Sequence, residues 1–336
     1  MRILAIESSC DETAVAVVEN GRTVLADCVA SQADMHATYG GVVPEIASRK
    51  HIEVIAGLAD EALRRSGLDR GGVDAVAVTY APGLIGALLV GVSFAKAAAF
   101  ALDVPLIPVH HVRGHIAANY IAHPDLEPPF LCLCVSGGTT LIVDVRGYTD
   151  MAVLGASRDD AAGECFDKVA RVLGLGYPGG APLDKLAAGG DESRYELPRA
   201  RVQDHPLDMS FSGLKTAVLN LIHNAAQKGE QPHLPDLAAS FTAAVSDTLV
   251  PRTMAASRAV GYGKVAVVGG VAANTRIRAD LERACRAAGD ALYLPPLSLC
   301  GDNGAMIGSQ GYYEYLAGRV GDMSLNAFAN RDIGLG

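Results

Sequence analysis

Tryptophan is absent from this chain of 336 residues, and aromatic residues of all kinds make up only 5% of it. The 37 glycines indicate instead many tight turns and close backbone approaches. Half of the residues are hydrophobic and 19% are charged, which is an ordinary globular composition. A chain of this length is long for one hydrophobic core, so we expect two lobes.

Long uninterrupted apolar runs are also missing. The nearest approach to a membrane span is residues 83–102, where Ser93 and Lys96 interrupt the run. The N-terminal residues MRILAIESS lack a basic region followed by a long apolar stretch, so we expect no signal peptide. These absences predict a cytoplasmic protein with no membrane partner.

Paired cysteines and an excess of positive charge are lacking as well. None of the seven cysteines forms a CxxC pair, and Cys132 and Cys134 share one face of a predicted strand as small core residues. This usage fits a reducing cytoplasm. The formal net charge of −9 argues against a surface built for non-specific nucleic-acid binding. A local basic patch, or a partner protein that supplies one, remains open.

Strands and helices alternate along the chain, which predicts an α/β fold. Strands at 2–6 and 14–18 form a hairpin with a polar tip, and strands at 130–135 and 141–145 form a second hairpin with a Gly-rich tip. Because each half of the chain begins with a hairpin of this kind, the pattern indicates an internal duplication. Further strands are predicted at 74–79, 104–109, 264–268 and 291–294, and helices at 45–65, 84–102, 111–122, 160–173, 213–224, 236–260, 274–288 and 302–316.

The motif HVRGH places His111 and His115 four residues apart on a predicted helix. Residues at this spacing lie on one face with Cβ atoms roughly 5–6 Å apart, so two imidazoles can share one metal ion. Two surface histidines are the alternative. A protease of the HExxH type needs a glutamate directly after the first histidine, and Val112 stands there.

Asp302 precedes the last predicted helix within the sequence CGDNG. One interpretation is that it caps the helix. The other is that it ligates a metal, since two histidines and one carboxylate with open positions suit a catalytic Fe²⁺ or Zn²⁺.

Two glycine-containing turns are candidates for nucleotide contacts. Ser136, Gly137 and Gly138 end a strand, and their backbone N–H groups can face an anion. Gly269 and Gly270 follow another strand, with Asn274 as an N-cap candidate, and a nucleotide's sugar and base could lie on this bare backbone. Plain turns are the alternative in both places.

The first hairpin carries three acids and several hydroxyls in residues 7–13, ESSCDET. Asp11 and Glu12 could position a water, a proton or a metal-bound phosphate. Solvated turn residues are the alternative.

With these motifs in view, the sequence closely resembles the tRNA threonylcarbamoyladenosine transferase family, the TsaD proteins, once described as O-sialoglycoprotein endopeptidases. The similarity is spread over nearly the whole chain. The stretches that carry it are residues 6–13 (IESSCDET), 39–51 (YGGVVPEIASRKH), 81–91 (APGLIGALLVG), 108–115 (PVHHVRGH), 135–138 (VSGG), 159–180 (DDAAGECFDKVARVLGLGYPGG), 209–216 (MSFSGLKT), 269–274 (GGVAAN) and 302–307 (DNGAMI).

The resemblance implies a two-lobed actin-like ATPase fold of the sugar kinase, Hsp70 and actin type, with the active site in the cleft between the lobes. We expect residues 1–128 to form the first lobe, with the helix at 303–318 packing back on it. Residues 129–302 are expected to form the second lobe, with an insertion near 191–209. An irregular tail is expected at 319–336.

The resemblance also implies roles for individual residues. His111, His115 and Asp302 match metal ligands, with one Fe²⁺ per subunit and Zn²⁺ as the alternative. Asp11 and Glu12 match acids implicated in activity. The remaining matches concern binding of threonylcarbamoyl-AMP. The loop that holds this molecule consists of Cys134, Val135, Ser136, Gly137 and Gly138. The residues that contact its adenosine part are Asp167, Gly180, Asp184 and Asn274.

The implied reaction transfers a threonylcarbamoyl group to the N6 amine of adenosine 37 in tRNAs that read codons beginning with adenine. A TsaB-like paralogue and a TsaE-like ATPase are the implied partners. Two positions depart from the family's usual motifs: Thr139 stands where SGGHT has histidine, and Gly301 stands where CTDN has threonine. A metalloprotease and a sugar-kinase-like ATPase are the alternatives. Kinases of this fold have no HxxxH pair.

Arg194, Arg199 and Arg201, in the predicted insertion, are candidates for tRNA phosphate contacts, with solvated surface arginines as the alternative.

Overall fold

A computed structural model describes residues 1–200 and 202–335. The chain packs as two compact units. The first comprises residues 1–128, 145–152 and 295–336, and the second comprises residues 129–144 and 153–294. The domain boundaries expected from the sequence stay a prediction.

The first unit contains one mixed five-stranded sheet in the order β3-β2-β1-β4-β5. β1 pairs antiparallel with β2 and parallel with β4. The central strands β1 and β4 are almost entirely buried, as their continuous runs of Ile, Leu, Val and Ala require. The strand bounds are β1 Arg2–Glu7, β2 Glu12–Glu19, β3 Thr23–Ser31, β4 Ala75–Ala81 and β5 Leu106–His110.

Helices cover both faces of this sheet. α2 and α3 pack on one face, with Ile55 and Leu88 in the core against β4. α4 and α10 pack on the other, where Ala118 and Met306 meet Ile3. The helix bounds in this unit are α1 Ala33–Ala37, α2 Pro44–Ser66, α3 Ile85–Leu102, α4 His111–Ala122 and α10 Gly304–Leu316.

α10 lies unusually close to the sheet because glycines face it. A Cβ atom on Gly308 would lie 2.6 Å from Val18, and one on Gly311 would lie 2.7 Å from Ala77. Both distances are shorter than side-chain contacts allow. The glycines therefore fix the depth at which this helix, and the loop before it, approach the strands.

α3 is the one helix of the described residues that is long and apolar enough to cross a membrane by length and composition. A core helix of a soluble protein passes the same test, and α3 contributes Val92 and Ala95 to the core against β4. Its outer face is not buried: Ile85 and Leu89 are nearly half exposed, and Phe100 is 78% exposed.

The second unit contains a sheet in the order β10-β9-β6-β7-β8, which repeats the strand order of the first sheet. The internal duplication inferred from the two hairpins is thereby confirmed. Pairing of β6 with β9 and of β9 with β10 is parallel. The strand bounds are β6 Phe130–Val135, β7 Thr140–Val145, β8 Met151–Ala156, β9 Lys264–Val268 and β10 Ala291–Tyr293.

Among the described residues of this unit, five α-helices accompany the second sheet. The longest, α8, is buried along most of its length and packs against β6, α6 and α9. Residues 191–200 and 202–209 contain no helix and no strand, and the insertion expected there stays a prediction. The helix bounds are α5 Ala162–Val172, α6 Gly180–Ala187, α7 Ser212–Gln227, α8 Leu234–Val260 and α9 Thr275–Ala288.

Most predicted elements are present, but four were missed. β3, β8, α1 and α6 had no counterpart in the sequence-based prediction. β3 and β8 are edge strands of their sheets and have several partly exposed residues, so a buried apolar run does not mark them. The short helix α6 begins at Gly180 and contains Pro182, which are signals that usually indicate a turn.

Candidate functional site: a histidine and carboxylate cluster in the first unit

α4 begins directly after β5, so its first turn is held at the carboxyl end of a buried strand. His110 ends β5 with extended backbone angles, and His111 is the first helical residue. His111 and His115 therefore share one helix face, as the sequence predicted. Their ring centroids lie 4.6 Å apart.

Asp302 comes to this face from the loop before α10. The helix is capped by Asn303, whose side chain accepts a hydrogen bond of 2.8 Å from the Met306 N–H. Gly304 N–H donates to Asp27 on β3 at 3.1 Å. The alternative that Asp302 itself caps the helix is therefore wrong, and its carboxylate is left for other partners.

The three predicted ligands converge on one point. Asp302 Oδ1 lies 3.1 Å from His115 Nε2 and 3.6 Å from His111 Nε2. One donor atom from each residue falls within 4.8 Å of the others. Among residues 1–200 and 202–335, no other group of three or more His, Cys, Asp or Glu side chains has this geometry.

The cluster fits a divalent metal ion on its own geometry. His115 Nε2 is buried and has no hydrogen-bond partner, although Asp302 lies close to it. An unpartnered buried nitrogen of this kind is costly unless another ligand satisfies it. Two imidazole nitrogens and one carboxylate leave coordination positions open, which is typical of catalytic rather than structural metal sites.

The charge of the cluster also favours a cation. Burial alone would lower the pKa of His111, but the carboxylates of Asp302 and Glu7 outweigh it and raise that pKa to about 9. Burial alone would raise the pKa of Asp302, but His111 and His115 lower it to about 2. The acids thus hold one positive charge on His111, in the place where a metal ion would supply it.

Glu7 is a neighbour of the cluster, and the sequence analysis gave it no role of its own. It ends β1, is fully buried, and lies 3.0 Å through Oε2 from His111 Nδ1. The same oxygen accepts a hydrogen bond of 2.6 Å from the Thr79 hydroxyl. Its place as the first residue of the motif at 7–13, at the end of an apolar strand, was the available signal.

Asp11 and Glu12 lie in the same unit, on the tip between β1 and β2. Burial, followed by the adjacent charge of Asp11, raises the pKa of Glu12 to about 9, so one proton stays on this pair at neutral pH. Glu12 also accepts a hydrogen bond of 2.9 Å from Ser31. The tip is therefore a protonated, partly buried pair rather than two freely solvated acids.

His51 on α2 fixes this tip, and it too was missed. Its Nδ1 lies 2.7 Å from Thr13 Oγ1, and its Nε2 lies 2.9 Å from the Cys10 carbonyl. A carbonyl can only accept, so Nε2 carries the proton and Nδ1 accepts from Thr13. Burial lowers the pKa of His51, which keeps it in this neutral form.

The predicted substrate loop, residues 134–138, lies in the second unit. Cys134 and Val135 are buried at the end of β6, and the chain then reverses, with Ser136 N–H donating to Thr139 O at 2.8 Å. Gly137 and Gly138 are exposed, and added Cβ atoms there would meet nothing within 4 Å. The tip is thus open backbone with space around it.

The predicted adenosine contacts, also in the second unit, form two hydrogen-bonded pairs. Asn274 donates to Asp184 at 2.9 Å, and its own oxygen caps α9 by accepting from Ile277 N–H at 3.0 Å. The predicted N-cap is confirmed. Asp167 accepts from Gly179 N–H at 2.8 Å, directly before Gly180 begins α6. Each pair joins a helix terminus to a carboxylate.

The candidate phosphate-binding arginines give no comparable cluster. Arg199 forms an exposed ion pair of 2.8 Å with Asp247. Arg194 is exposed, and Arg201 lies outside the described residues. Exposed pairs of this type contribute little binding or stability.

Comparison with known proteins decides the family. A family model described as tRNA N6-adenosine threonylcarbamoyltransferase, TsaD, matches residues 23–309. The chain belongs to the TsaD family. A relative of that name from Clostridium botulinum (strain 657 / Type Ba4) is 53% identical over 334 residues, covering 99% of this chain and 98% of the relative. One from Clostridium perfringens (strain ATCC 13124) is 52% identical over 332 residues, with the same coverage.

Membership in the TsaD family identifies the chain as a transferase that modifies tRNA at N6 of an adenosine. The resemblance found in the sequence is thereby confirmed.

Solved structures extend the comparison to the fold. HypF from T. kodakarensis superposes with a TM-score of 0.63 at 17% identity, covering 96% of this chain and 49% of HypF. The activator of 2-hydroxyisocaproyl-CoA dehydratase from Clostridium difficile, solved with bound ADPNP, superposes with a TM-score of 0.55 at 13% identity, covering 95% and 97%. Both are actin-like ATPase-fold proteins, so the expected fold class is confirmed.

Proposed function

We propose that this chain transfers the threonylcarbamoyl group of threonylcarbamoyl-AMP to the N6 amine of adenosine 37, in tRNAs that read codons beginning with adenine, and that the transfer depends on a metal. The observation that carries the metal dependence is the convergence of His111, His115 and Asp302 within 4.8 Å. The donor set suits Fe²⁺, with Zn²⁺ as the alternative. We place the reaction in the cytoplasm.

The chemistry is acyl transfer from a mixed anhydride. The adenine N6 nitrogen forms a bond to the carbamoyl carbon, the bond from that carbon to the AMP phosphate oxygen breaks, and AMP leaves with the electron pair. The amine loses one proton. When bound, the metal supplies positive charge that polarises the carbamoyl oxygen and neutralises phosphate oxygens.

The protein's own groups divide this work. His111, His115 and Asp302 hold the metal. Backbone N–H groups of residues 136–138 stabilise negative charge on the carbamoyl group or the leaving phosphate, which open backbone at a glycine turn allows. Asp167, Gly180, Asp184 and Asn274 hold the adenosine part. Cys134 and Val135 end the strand that carries the loop.

Asp11 and Glu12 handle the proton. Glu12 keeps a proton at neutral pH in the metal-free protein, because burial and Asp11 raise its pKa to about 9. We assign the proton that the amine loses to Asp11, the other acid of the pair.

The test is reconstitution of metal-stripped protein. Purified protein is stripped by chelation and refilled with Fe²⁺, Zn²⁺ or Mg²⁺, and modified adenosine in tRNA is quantified by nucleoside analysis with threonylcarbamoyl-AMP as donor. We expect stripped protein to be inactive and Fe²⁺ to restore transfer. If Zn²⁺ alone restored transfer, the metal would be Zn²⁺ instead of Fe²⁺, and the proposed ligands would stand. Full transfer by stripped protein would overturn metal dependence.

A further inference from the structure

Glu7 contacts the His111 ring on the side away from the proposed metal site. His111 presents Nε2 toward Asp302 and Nδ1 toward Glu7, whose Oε2 lies 3.0 Å away. Ser9 Oγ lies 3.2 Å from the same nitrogen. A buried carboxylate thus contacts one nitrogen of the imidazole, and the other nitrogen faces the ligand cluster.

The carboxylate of Glu7 is itself fixed. Its Oε1 accepts a hydrogen bond of 2.5 Å from the Ser9 backbone N–H, and its Oε2 accepts one of 2.6 Å from Thr79 on β4. Glu7 is fully buried at the end of the central strand. Each carboxylate oxygen therefore accepts a hydrogen bond. The position of Glu7 at the end of the central strand sets the direction from which it contacts His111.

His115 lacks an equivalent support among the described residues, since its buried Nδ1 has no hydrogen-bond partner. The two proposed ligands differ in how strongly they are oriented. His111 is therefore the ligand whose ring a neighbouring side chain orients at the nitrogen away from the cluster.

We propose that Glu7 is the positioning residue of this site: it holds the proton of His111 on Nδ1, so that Nε2 carries the lone pair that binds the metal. Carboxylates in this relation to a metal-bound histidine fix its tautomer and ring orientation, and raise its basicity as a ligand. This inference rests on the proposed function, because it needs a metal at His111 and His115.

The substitution Glu7→Gln tests the idea because the amide has only one way to fit. Ser9 N–H can only donate, so the amide oxygen must occupy the Oε1 position. The NH₂ group then faces His111 Nδ1 and donates to it. That favours the tautomer with the proton on Nε2, where the metal should bind.

A matched variant separates this effect from lost stability. Glu314→Gln changes another buried glutamate, which pairs at 2.9 Å with Arg113 on the helix that carries both histidines, and it touches neither histidine. We expect this variant to lower the temperature of unfolding and to leave the protonation pattern of His111 unchanged.

The experiment measures the dissociation constant for Zn²⁺ by chelator competition on the full chain. We expect Glu7→Gln to weaken binding about tenfold to a hundredfold, the range typical of such partners. Glu314→Gln should stay within about threefold of wild type, our margin for indirect effects. In a His111→Ala background, Glu7→Gln should cause no further loss. An equal loss in that background would show a merely structural role and overturn the proposal.

A second readout does not depend on affinity. In ¹⁵N-histidine spectra of the Zn²⁺-loaded wild type, His111 should show a protonated, hydrogen-bonded Nδ1 and a metal-bound Nε2. The reverse assignment would contradict the role of Glu7 even if metal binding stands. If wild type binds no Zn²⁺ or Fe²⁺ through these histidines, it is the proposed metal dependence that fails.

Discussion

His115 Nε2 and Asp302 Oδ1 lie 3.1 Å apart, and the buried nitrogen has no hydrogen-bond partner. Two groups this close would normally settle into a hydrogen bond if nothing else needed them. Their arrangement is that of two ligands directed at a third atom. It is the most specific local sign that the helix after β5 serves a metal site in this TsaD-family protein.

Removing either histidine should remove the metal and leave the fold. We expect His111→Ala and His115→Ala to purify with less than about a tenth of the wild-type metal, because two remaining ligands bind a divalent ion weakly. Elemental analysis measures the metal, and circular dichroism checks the fold. His223→Ala, an exposed histidine on α7, is the control. Full occupancy in both site variants would exclude this metal site.

Asp184 should support nucleotide binding and the start of α9 together. It accepts hydrogen bonds from the Asn274 amide and from the backbone and hydroxyl of Thr275. Asp184→Ala should lower the free energy of unfolding by about 1 kcal/mol, as loss of a cap does. It should also weaken AMP binding in calorimetry at least tenfold. Asp191→Ala, which removes a similar turn contact to Ser193, is the control. Unchanged AMP affinity would exclude Asp184 from the binding residues.

The sequence predicted the His111–His115 pair because its spacing acts within one helix. Donor chemistry suggested Asp302 as the third ligand, but local sequence did not decide between that role and a helix cap, since Asp302 reaches the histidines by packing of α10 against the strands, at a depth set by Gly308 and Gly311. Glu7 was missed because it ends an apolar strand, and its partner, His111, is distant in sequence. Local patterns do not encode such tertiary contacts.

Asp27 should make stability depend on pH. Burial raises its pKa from 3.8 to about 6 in the folded protein, so the folded state keeps a proton that the unfolded state has already lost. This contribution to stability is present below about pH 4 and is lost as pH rises through about 6. Asp27→Asn retains an oxygen for the Gly304 N–H, and it should be more stable than wild type by about 1–2 kcal/mol at pH 7.

Thermal unfolding at pH 4, 5 and 7 measures this difference. The gain of Asp27→Asn should shrink toward pH 4. Asp125→Asn, at an exposed position, is the control and should follow wild type throughout. A gain that stays constant with pH would show that the carboxylate's charge is not its source.

Partners should raise turnover with tRNA. The chain has a formal net charge of −9, so its own grip on tRNA should be weak and strongly salt-sensitive. We expect a TsaB-like paralogue and a TsaE-like ATPase to complete the tRNA surface and to raise multiple turnover at least tenfold. Quantifying modified nucleoside per enzyme, with and without them, measures this. Equal multiple turnover by the chain alone would refute the requirement and leave the proposed chemistry intact.

Thr139 raises a separate question, because it replaces the histidine usual in this family motif. Its carbonyl accepts from Ser136 N–H and closes the turn whatever its side chain is. We therefore expect Thr139→His to change nucleotide or metal affinity more than the reaction itself. If that substitution alone turned an inert protein into an active one, the chain would be a degenerate paralogue.

The most direct measurement is nucleoside analysis of unmodified tRNA incubated with threonylcarbamoyl-AMP, the partner proteins and either the Fe²⁺-loaded wild type or its Asp302→Ala variant, with His223→Ala as control. We predict threonylcarbamoyl-adenosine with wild type and control, and a loss of at least a hundredfold with Asp302→Ala. Equal amounts of the modified nucleoside from all three proteins would contradict a reaction that depends on the His111, His115 and Asp302 cluster.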